Sequence, residues 1–201
     1  MSNIIYELNN NLYLNITNRC NNNCAFCIKN KTRRFHGEFD LWLDKEPASE
    51  EIIKAIGDTS KYGEIVFCGY GEPLIRLQTV KEVAKALKEK GAKIRIDTDG
   101  LANFFHQRNI LPELQGLTDS MIVSLNAPDV ETYVKLCNPI YGKKSFQAVL
   151  DFILEAKKYI PNVTASVVGL PNMDVEACKK IAENLGVEFR VRTYYEEKYV
   201  K

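Results

Sequence analysis

Six short segments of the chain have the hydrophobic pattern of β-strands. Apolar and polar residues alternate in segments 12–17, 93–98, 119–126, 162–168 and 187–194, and segment 64–68 is a short apolar run that ends at a glycine. The segments between them carry apolar residues at helical spacing. Strands and helices that alternate along a chain predict parallel βαβ units with right-handed crossovers. Because no linker, repeat or low-complexity tract divides it, the chain 1–201 is predicted to be one α/β domain.

The predicted helices are bounded by capping residues and stop signals. Ser49 is a candidate N-cap for the first helix, because its hydroxyl can accept a hydrogen bond from a free backbone N–H. Thr79 and Glu82 have the spacing of a capping box, and Gly91 is the predicted end of that helix. The other predicted helices are a short one near 102–107, one that begins at Ser145 and ends before Pro161, and one from Asp174 to Gly186.

One face of the predicted strands keeps polar residues. In segment 93–98, Ile94 and Ile96 share one face, and Arg95 and Asp97 share the other. A flat parallel sheet covered by helices on both faces has continuous apolar strands instead. The pattern therefore favours a curved sheet with helices outside and a polar ligand cavity inside. A half-solvated antiparallel sheet is the alternative, and the intervening helices disfavour it.

Composition and charge narrow the classes of protein that the chain can belong to. The 201 residues include 27 Lys and Arg and 26 Asp and Glu, so the net charge is +1. A general nucleic-acid or membrane-surface binder needs a clustered excess of basic residues, so neither class is expected. No segment resembles a signal peptide or approaches the roughly 18 apolar residues of a membrane span. The expected location is the cytoplasm, where the six cysteines stay reduced.

Three cysteines lie within eight residues directly after the first predicted strand. Cys20, Cys24 and Cys27 occur in the sequence RCNNNCAFCIKNK, in a polar loop that a hydrophobic core cannot absorb. A [4Fe–4S] cluster takes cysteine thiolates, and three of them leave one iron with an open position. Structural zinc is the alternative, with His36 as a fourth ligand, and it would make the chain a non-catalytic metal-binding module. Cys68, Cys137 and Cys178 form no second pair in the sequence, which favours the cluster.

Motifs after successive predicted strands resemble those of the radical S-adenosylmethionine (radical SAM) enzymes. The cysteines match C-x3-C-x-F-C, and the sequence CGYGEP at 68–73 resembles a GGEP motif in which Tyr70 replaces the first glycine. The sequences DTDG at 97–100 and SLNA at 124–127 resemble the strand ends that contact the cofactor in this family. The resemblance covers essentially the whole chain, and it is greatest to the small radical SAM proteins described as TatD-family-associated.

The resemblance implies a fold, a reaction and a set of site residues. It implies a single-domain (β/α)6 partial barrel whose Cys20, Cys24 and Cys27 hold a [4Fe–4S] cluster that binds SAM at the fourth iron. It also implies reductive cleavage of SAM to a 5′-deoxyadenosyl radical that abstracts hydrogen from an unidentified substrate, in an oxygen-sensitive reaction with flavodoxin or ferredoxin as reductant. The residues that it places around SAM are Phe26 at the adenine, Tyr70, Gly71 and Glu72 at the methionine ammonium, and Asp97, Asp99, Ser124 and Asn126 at the ribose and the carboxylate.

Charged residues on the last predicted strand indicate a substrate site. Glu188, Arg190 and Arg192 are spaced by two, so they share one face of the strand. If that face points into the barrel, Glu188 neutralises one arginine and the other is left for an anionic substrate. The carboxylate of SAM and a structural ion pair with Asp97 or Asp99 are the alternatives. The basic run Lys29, Lys31, Arg33 and Arg34 is either a solvated loop or a docking patch for an acidic electron donor.

Overall fold

The computed structural model describes residues 2–194, which form nine strands and six α-helices. The strands are β1 (Ile5–Leu8), β2 (Asn11–Leu14), β3 (Arg34–Phe35), β4 (Phe39–Asp40), β5 (Ile65–Phe67), β6 (Ile94–Thr98), β7 (Ser120–Ser124), β8 (Asn162–Val168) and β9 (Glu188–Arg192). The helices are α1 (Ser49–Ile56), α2 (Leu77–Lys88), α3 (Ala102–Phe105), α4 (Val130–Cys137), α5 (Lys144–Ala156) and α6 (Val175–Leu185). None of the helices in this part of the chain is long and apolar enough to cross a bilayer.

Seven of these strands form one sheet in the spatial order β1-β2-β5-β6-β7-β8-β9. Within this sheet β2, β5, β6, β7, β8 and β9 run parallel, and β1 pairs antiparallel with β2 at one edge. Strands β3 and β4 pair antiparallel in a separate hairpin. Among the described residues the sheet has two free edges, as a partial barrel requires. The six predicted strands and their parallel order are therefore confirmed.

The two faces of the sheet differ as the alternation predicted. Leu12, Leu14, Ile94 and Ile96 are completely buried or nearly so, and they join the core cluster that includes the apolar faces of the helices. The other face carries a polar network around Arg95. Its guanidinium donates to Asp97 Oδ1 at 2.9 Å, to Glu64 Oε2 at 2.5 Å and to the Tyr13 hydroxyl at 3.2 Å. Polar side chains of neighbouring strands therefore meet on this face, as the alternation predicted.

Three elements of the structure were not predicted from the sequence. Strand β1 reaches β2 through Asn9 and Asn10, whose φ angles of 50° and 61° fit a tight hairpin turn. The β3–β4 hairpin is too short to leave a hydrophobic period in the sequence. Helix α4 begins after Asp129, whose carboxylate accepts a hydrogen bond from the Thr132 N–H at 2.8 Å. The turn-forming asparagines and the capping aspartate are sequence signals that could have indicated β1 and α4.

Some of the predicted helix ends are wrong by a few residues. Ser49 is the first residue of α1 and its hydroxyl contacts Glu82, so it does not cap the helix. Helix α2 begins at Leu77, which puts Thr79 inside the first turn, and it ends at Lys88 before the turn that contains Gly91. The cap at Asp174 and the left-handed residue Gly186 at the end of α6 are confirmed.

Candidate metal and cofactor site

The loop that carries the three cysteines is clamped against the end of α4. The backbone N–H of Asn23 donates to the Cys137 carbonyl at 3.0 Å, and that of Ala25 donates to the Leu136 carbonyl at 2.9 Å. The Ile140 N–H in turn donates to the Asn21 carbonyl at 3.0 Å. These main-chain bonds give the polar loop a fixed path over the carboxyl ends of the parallel strands.

All three thiols of the loop are free and half-buried. Burial raises the pKa of the Cys20 and Cys27 thiols, and Asp99 adds to the effect at Cys20. A hydrogen bond to the Cys137 thiol and burial raise the pKa of the Cys24 thiol. Without a metal the thiols are therefore protonated, and a metal centre must displace three protons to bind.

A [4Fe–4S] cluster and a single zinc ion need different sets of ligands. Within residues 2–194, no group of three His, Cys, Asp or Glu side chains is close enough to hold one metal ion. Zinc needs four ligands at about 2.0–2.3 Å from one ion, whereas a [4Fe–4S] cluster gives each cysteine an iron of its own. His36, the predicted fourth zinc ligand, lies in the β3–β4 hairpin with its ring 4.2 Å from that of Phe35. Three loop thiolates are the donor set of a [4Fe–4S] cluster with one open iron, whereas a zinc ion needs a fourth ligand.

Two buried carboxylates connect the strand ends to the cysteine loop. Glu72 is 2% exposed, and its carboxylate accepts hydrogen bonds from the Leu74 N–H at 2.9 Å, the Thr98 hydroxyl at 2.8 Å and the Asp99 N–H at 2.6 Å. Burial and the Asp99 charge raise the pKa of Glu72. The carboxylate thus joins the loop after β5 to the end of β6. Its predicted contact with the methionine ammonium of SAM stays a prediction.

Asp99 continues this connection into the loop. Its carboxylate accepts hydrogen bonds from Asn21 Nδ2 at 3.1 Å and from the Leu101 N–H at 2.9 Å, and it lies 3.9 Å from Cys20 Sγ. Burial raises the pKa of Asp99 to about 6. The side-chain oxygens of Asn21 and Asn22 are buried and have no hydrogen-bond partner among the described residues. Buried acceptors of this kind are costly unless a ligand or water pairs with them, so the loop is suited to a bound group.

Arg192 reaches the same place from the last strand. Its Nη2 donates to Asn126 Oδ1 at 2.7 Å, while its Nε is buried without a partner among the described residues. Asn126 adopts a left-handed φ of 58° just beyond β7, and its Nδ2 lies 3.8 Å from Cys137 Sγ. The three charged residues of β9 that were predicted to point inward differ in exposure, because Glu188 and Arg190 are exposed. One arginine of the predicted pair is therefore half-buried at the site, and the other is exposed to solvent.

The remaining predicted residues lie around the loop. Asp97 pairs with Arg95 on the polar face of the sheet, and Ser124 is the half-buried last residue of β7. Phe26 is half-buried and packs against the main core, which is the packing role that its position also allows. Gly71 lies against the start of the cysteine loop, where an added Cβ would stand 2.3 Å from the Thr17 carbonyl oxygen. The glycine thus permits a close approach of two backbone segments.

Comparison with known proteins identifies the family. Residues 14–185 match the family model described as "Radical SAM superfamily". The chain belongs to the radical SAM superfamily. A probable GTP 3′,8-cyclase of Thermococcus kodakarensis is 28% identical over 167 residues, which are 82% of this chain and 49% of the cyclase.

Solved structures agree with the family at the level of the fold. Streptococcus suis SuiB bound to the precursor peptide SuiA has a TM-score of 0.70 at 13% identity, over 98% of this chain and 42% of SuiB. Native anSMEcpe with bound AdoMet has a TM-score of 0.66 at 16% identity, over 92% of this chain and 51% of that protein. Five curated relatives are matched over 23% to 66% of their own length.

Members of the radical SAM superfamily bind a [4Fe–4S] cluster and SAM. The predicted fold class, family and pair of cofactors are therefore confirmed. The assignment of individual residues to the cluster and to SAM stays a prediction.

Tyr70 stands where the GGEP motif of radical SAM enzymes has its first glycine, and its contacts account for this difference. Its ring is 5% exposed and joins a second apolar cluster with Tyr6 and Leu41. Its hydroxyl donates to the Thr32 carbonyl at 2.8 Å, which fixes the segment between the cysteine loop and the β3–β4 hairpin. A glycine here would leave that segment without its anchor. No local sequence pattern indicates this contact, because the hairpin itself was not predicted.

We expect Tyr70→Phe to loosen the segment that follows the cysteines. The ring keeps its apolar contacts, but the hydrogen bond to Thr32 is lost, which costs about 0.5–1.5 kcal/mol. Urea unfolding measures this loss, and limited trypsin digestion should show faster cleavage at Arg33 or Arg34. Tyr62→Phe is the control, since the Tyr62 hydroxyl bonds to the exposed Glu7. Equal cleavage of the Tyr70→Phe variant and the wild type would contradict the anchoring role.

Proposed function

We propose that the chain is the core of a radical SAM enzyme in which Cys20, Cys24 and Cys27 hold the [4Fe–4S] cluster. The observation that carries the proposal is the clamped three-cysteine loop, which lies over the carboxyl ends of parallel strands together with Glu72 and Asp99. When bound, the cluster and SAM supply the reductive cleavage that produces a 5′-deoxyadenosyl radical for hydrogen abstraction. The chain's own residues position these groups and keep water out.

The polar residues at the strand ends are proposed to bind SAM. Glu72 with Tyr70 and Gly71 would receive the methionine ammonium, since Glu72 is a buried acceptor at the end of the parallel sheet. Asp97, Asp99, Ser124 and Asn126 would receive the ribose and the methionine carboxylate, and Phe26 would contact the adenine. This assignment is supported by the order of the motifs along the strands. Buried carboxylates that already accept hydrogen bonds from the protein are held in a fixed orientation, which suits one further charged partner.

Metal analysis after anaerobic purification tests the proposal. We expect about four irons per chain, broad absorbance near 400 nm and 5′-deoxyadenosine after addition of SAM and dithionite. Stoichiometric zinc without 5′-deoxyadenosine would contradict the proposal and favour the non-catalytic module. An iron–sulfur protein that binds SAM but forms no 5′-deoxyadenosine would also contradict the catalytic role.

The electron donor is proposed to be flavodoxin or ferredoxin, acting in the cytoplasm. Radical SAM chemistry needs a low-potential electron, and the basic run after the cysteines lies next to the proposed cluster. Parts of this run have partners within the chain, because Arg33 pairs with Asp40 and Lys29 donates to the Asn18 carbonyl. Arg34 is exposed and is the best candidate for contact with an acidic donor. The finer assignment to the TatD-family-associated radical SAM proteins is supported by the overall resemblance of the sequence.

The two arginines of β9 are proposed to act on different anions. Arg192 contacts Asn126, one of the proposed SAM residues, and its unpaired Nε has a free hydrogen to donate to the carboxylate of SAM. Arg190 is exposed and remains available to a substrate that enters the cavity. The contact of Arg192 with the proposed SAM site supports this division.

We expect Arg192→Gln to weaken SAM binding about tenfold or more, because a charge-assisted hydrogen bond contributes about 1.5–3 kcal/mol. Arg190→Gln is the matched control, from the same strand and face, and should change the affinity less than about twofold. Equilibrium binding of SAM to the anaerobically reconstituted protein measures both. If Arg190→Gln had the larger effect, or if neither variant changed SAM affinity, the assignment of Arg192 to the cofactor would be wrong.

A further inference from the structure

Cys137, which stands alone in the sequence, lies against one of the three loop cysteines. It is the last residue of α4 and is completely buried. The two main-chain bonds of Asn23 and Ala25 to the end of α4 bracket Cys24, so its backbone runs directly beside that of Cys137. Asn22 also pairs with Pro139 in an antiparallel bridge, and this register sets Cys24 opposite Cys137. The two cysteines are neighbours in space although they are 113 positions apart in the sequence.

The two thiols differ in their access to solvent. Cys24 is partly exposed, whereas Cys137 is enclosed by the core and by Asn126, whose Nδ2 lies 3.8 Å from the sulfur. An accessible thiol with a protected thiol beside it is the arrangement in which one cysteine reacts first and the second resolves the product. The backbone hydrogen bonds already hold the two residues close, so a bond between the sulfurs needs little movement of the main chain.

We propose that Cys24 and Cys137 form a disulfide when no cluster occupies the loop. The oxidant is a low-molecular-weight disulfide such as oxidised glutathione. The Cys24 thiol first gives up its proton to solvent. Its thiolate then attacks the small disulfide, whose S–S bond breaks, and one small thiol leaves with a proton from solvent. The Cys137 sulfur then attacks the Cys24 sulfur of the mixed disulfide, and the second small thiol leaves. Two protons and two electrons pass from the cysteines to the two released thiols, so the step is balanced.

This disulfide has a consequence for cluster assembly. With its sulfur bonded to Cys137, Cys24 is unable to ligate iron until a reductant reopens the pair. The bond also protects the Cys24 sulfur from oxidation to the sulfinic acid, which is not readily reversed. The effect on iron uptake rests on the proposed function, whereas formation of the disulfide does not.

Peptide mapping of the full chain without iron tests the proposal. The protein is incubated with oxidised glutathione, its remaining thiols are alkylated and it is digested with trypsin. Cleavage after Arg19, Lys29, Lys135 and Lys143 releases peptides 20–29 and 136–143. We expect these two peptides to be joined, with fragmentation placing the bond at Cys24, and to separate after dithiothreitol. A bond confined to Cys20, Cys24 and Cys27, or full alkylation of Cys137, would overturn the proposal.

Two variants and iron uptake complete the experiment. Cys178→Ser, which alters a buried cysteine of α6, should leave the joined peptides unchanged, and Cys137→Ser should retain glutathione on Cys24. Loss of the joined peptides in Cys178→Ser would contradict a specific pair. The oxidised wild type should take up iron only after reduction. If the disulfide forms but iron uptake is unaffected, Cys24 is not a cluster ligand, and the proposed function fails while the disulfide stands.

Discussion

Replacement of Cys27 by alanine should eliminate the cluster. The thiolate ligates one iron in the proposed site, and its replacement leaves two loop thiols for a cluster that takes three cysteines there. Cys27 is a sharper test than Cys24, because Cys137 lies next to Cys24 and could offer its own sulfur. After anaerobic reconstitution, iron should fall from about four per chain to a small fraction of that value. The absorbance near 400 nm and the formation of 5′-deoxyadenosine should be lost with it.

The control for this experiment is Cys178→Ala. Cys178 is completely buried in α6, so its replacement removes a thiol and a little core volume without touching the loop. We expect normal iron content in this variant, with a loss of stability of about 1 kcal/mol. Full iron content in Cys27→Ala would assign the cluster to other residues. A circular dichroism spectrum that matches the wild type would exclude unfolding as the cause of iron loss.

The sequence predicted those parts of the fold that leave a local signal. Alternating segments such as 93–98 identified five of the six parallel strands, because a buried face and a polar face impose a period of two, and an apolar run identified the other. The same alternation predicted the polar face of the sheet, since Arg95 and Asp97 stand opposite Ile94 and Ile96. The cysteine loop and the strand-end motifs were recognisable because their residues are close together in the chain.

The remaining features depend on contacts between distant segments. Nothing near Cys137 in the sequence indicates Cys24, and the contact follows from the position of α4 beside the loop. The environments of Arg190 and Arg192 differ although their positions on β9 predict the same face. That difference arises because β9 forms an edge of the described sheet, and the depth of each side chain depends on its neighbours in β8 and beyond. Edge position is a property of the assembled sheet, and no local pattern reports it.

Gly71, the second glycine of the CGYGEP sequence, provides the most direct test of how the site is assembled. We expect Gly71→Ala to destabilise the apo protein by about 1–3 kcal/mol or more, because an overpacked site must move. The added Cβ would stand 2.3 Å from the Thr17 carbonyl oxygen and 2.5 Å from that of Arg19, and backbone atoms yield less readily than side chains. The same shift would break the bond from the Glu72 N–H to the Arg19 carbonyl at 2.7 Å. Urea unfolding of the apo protein measures the loss of stability.

Gly169→Ala is the matched control for this substitution, because both glycines follow a strand of the parallel sheet. Its added Cβ would meet Val191 Cγ1 at 3.2 Å, and Val191 is a side chain on the edge strand that is 48% exposed and free to turn away. We therefore expect a change within about 0.5 kcal/mol for Gly169→Ala. Since only the Cβ at Gly71 would clash with backbone atoms, the difference between the two variants isolates the packing of the CGYGEP segment on the cysteine loop. Equal stability of the two variants would mean that the loop adapts freely, and that Gly71 does not determine where Glu72 and the first cysteine lie.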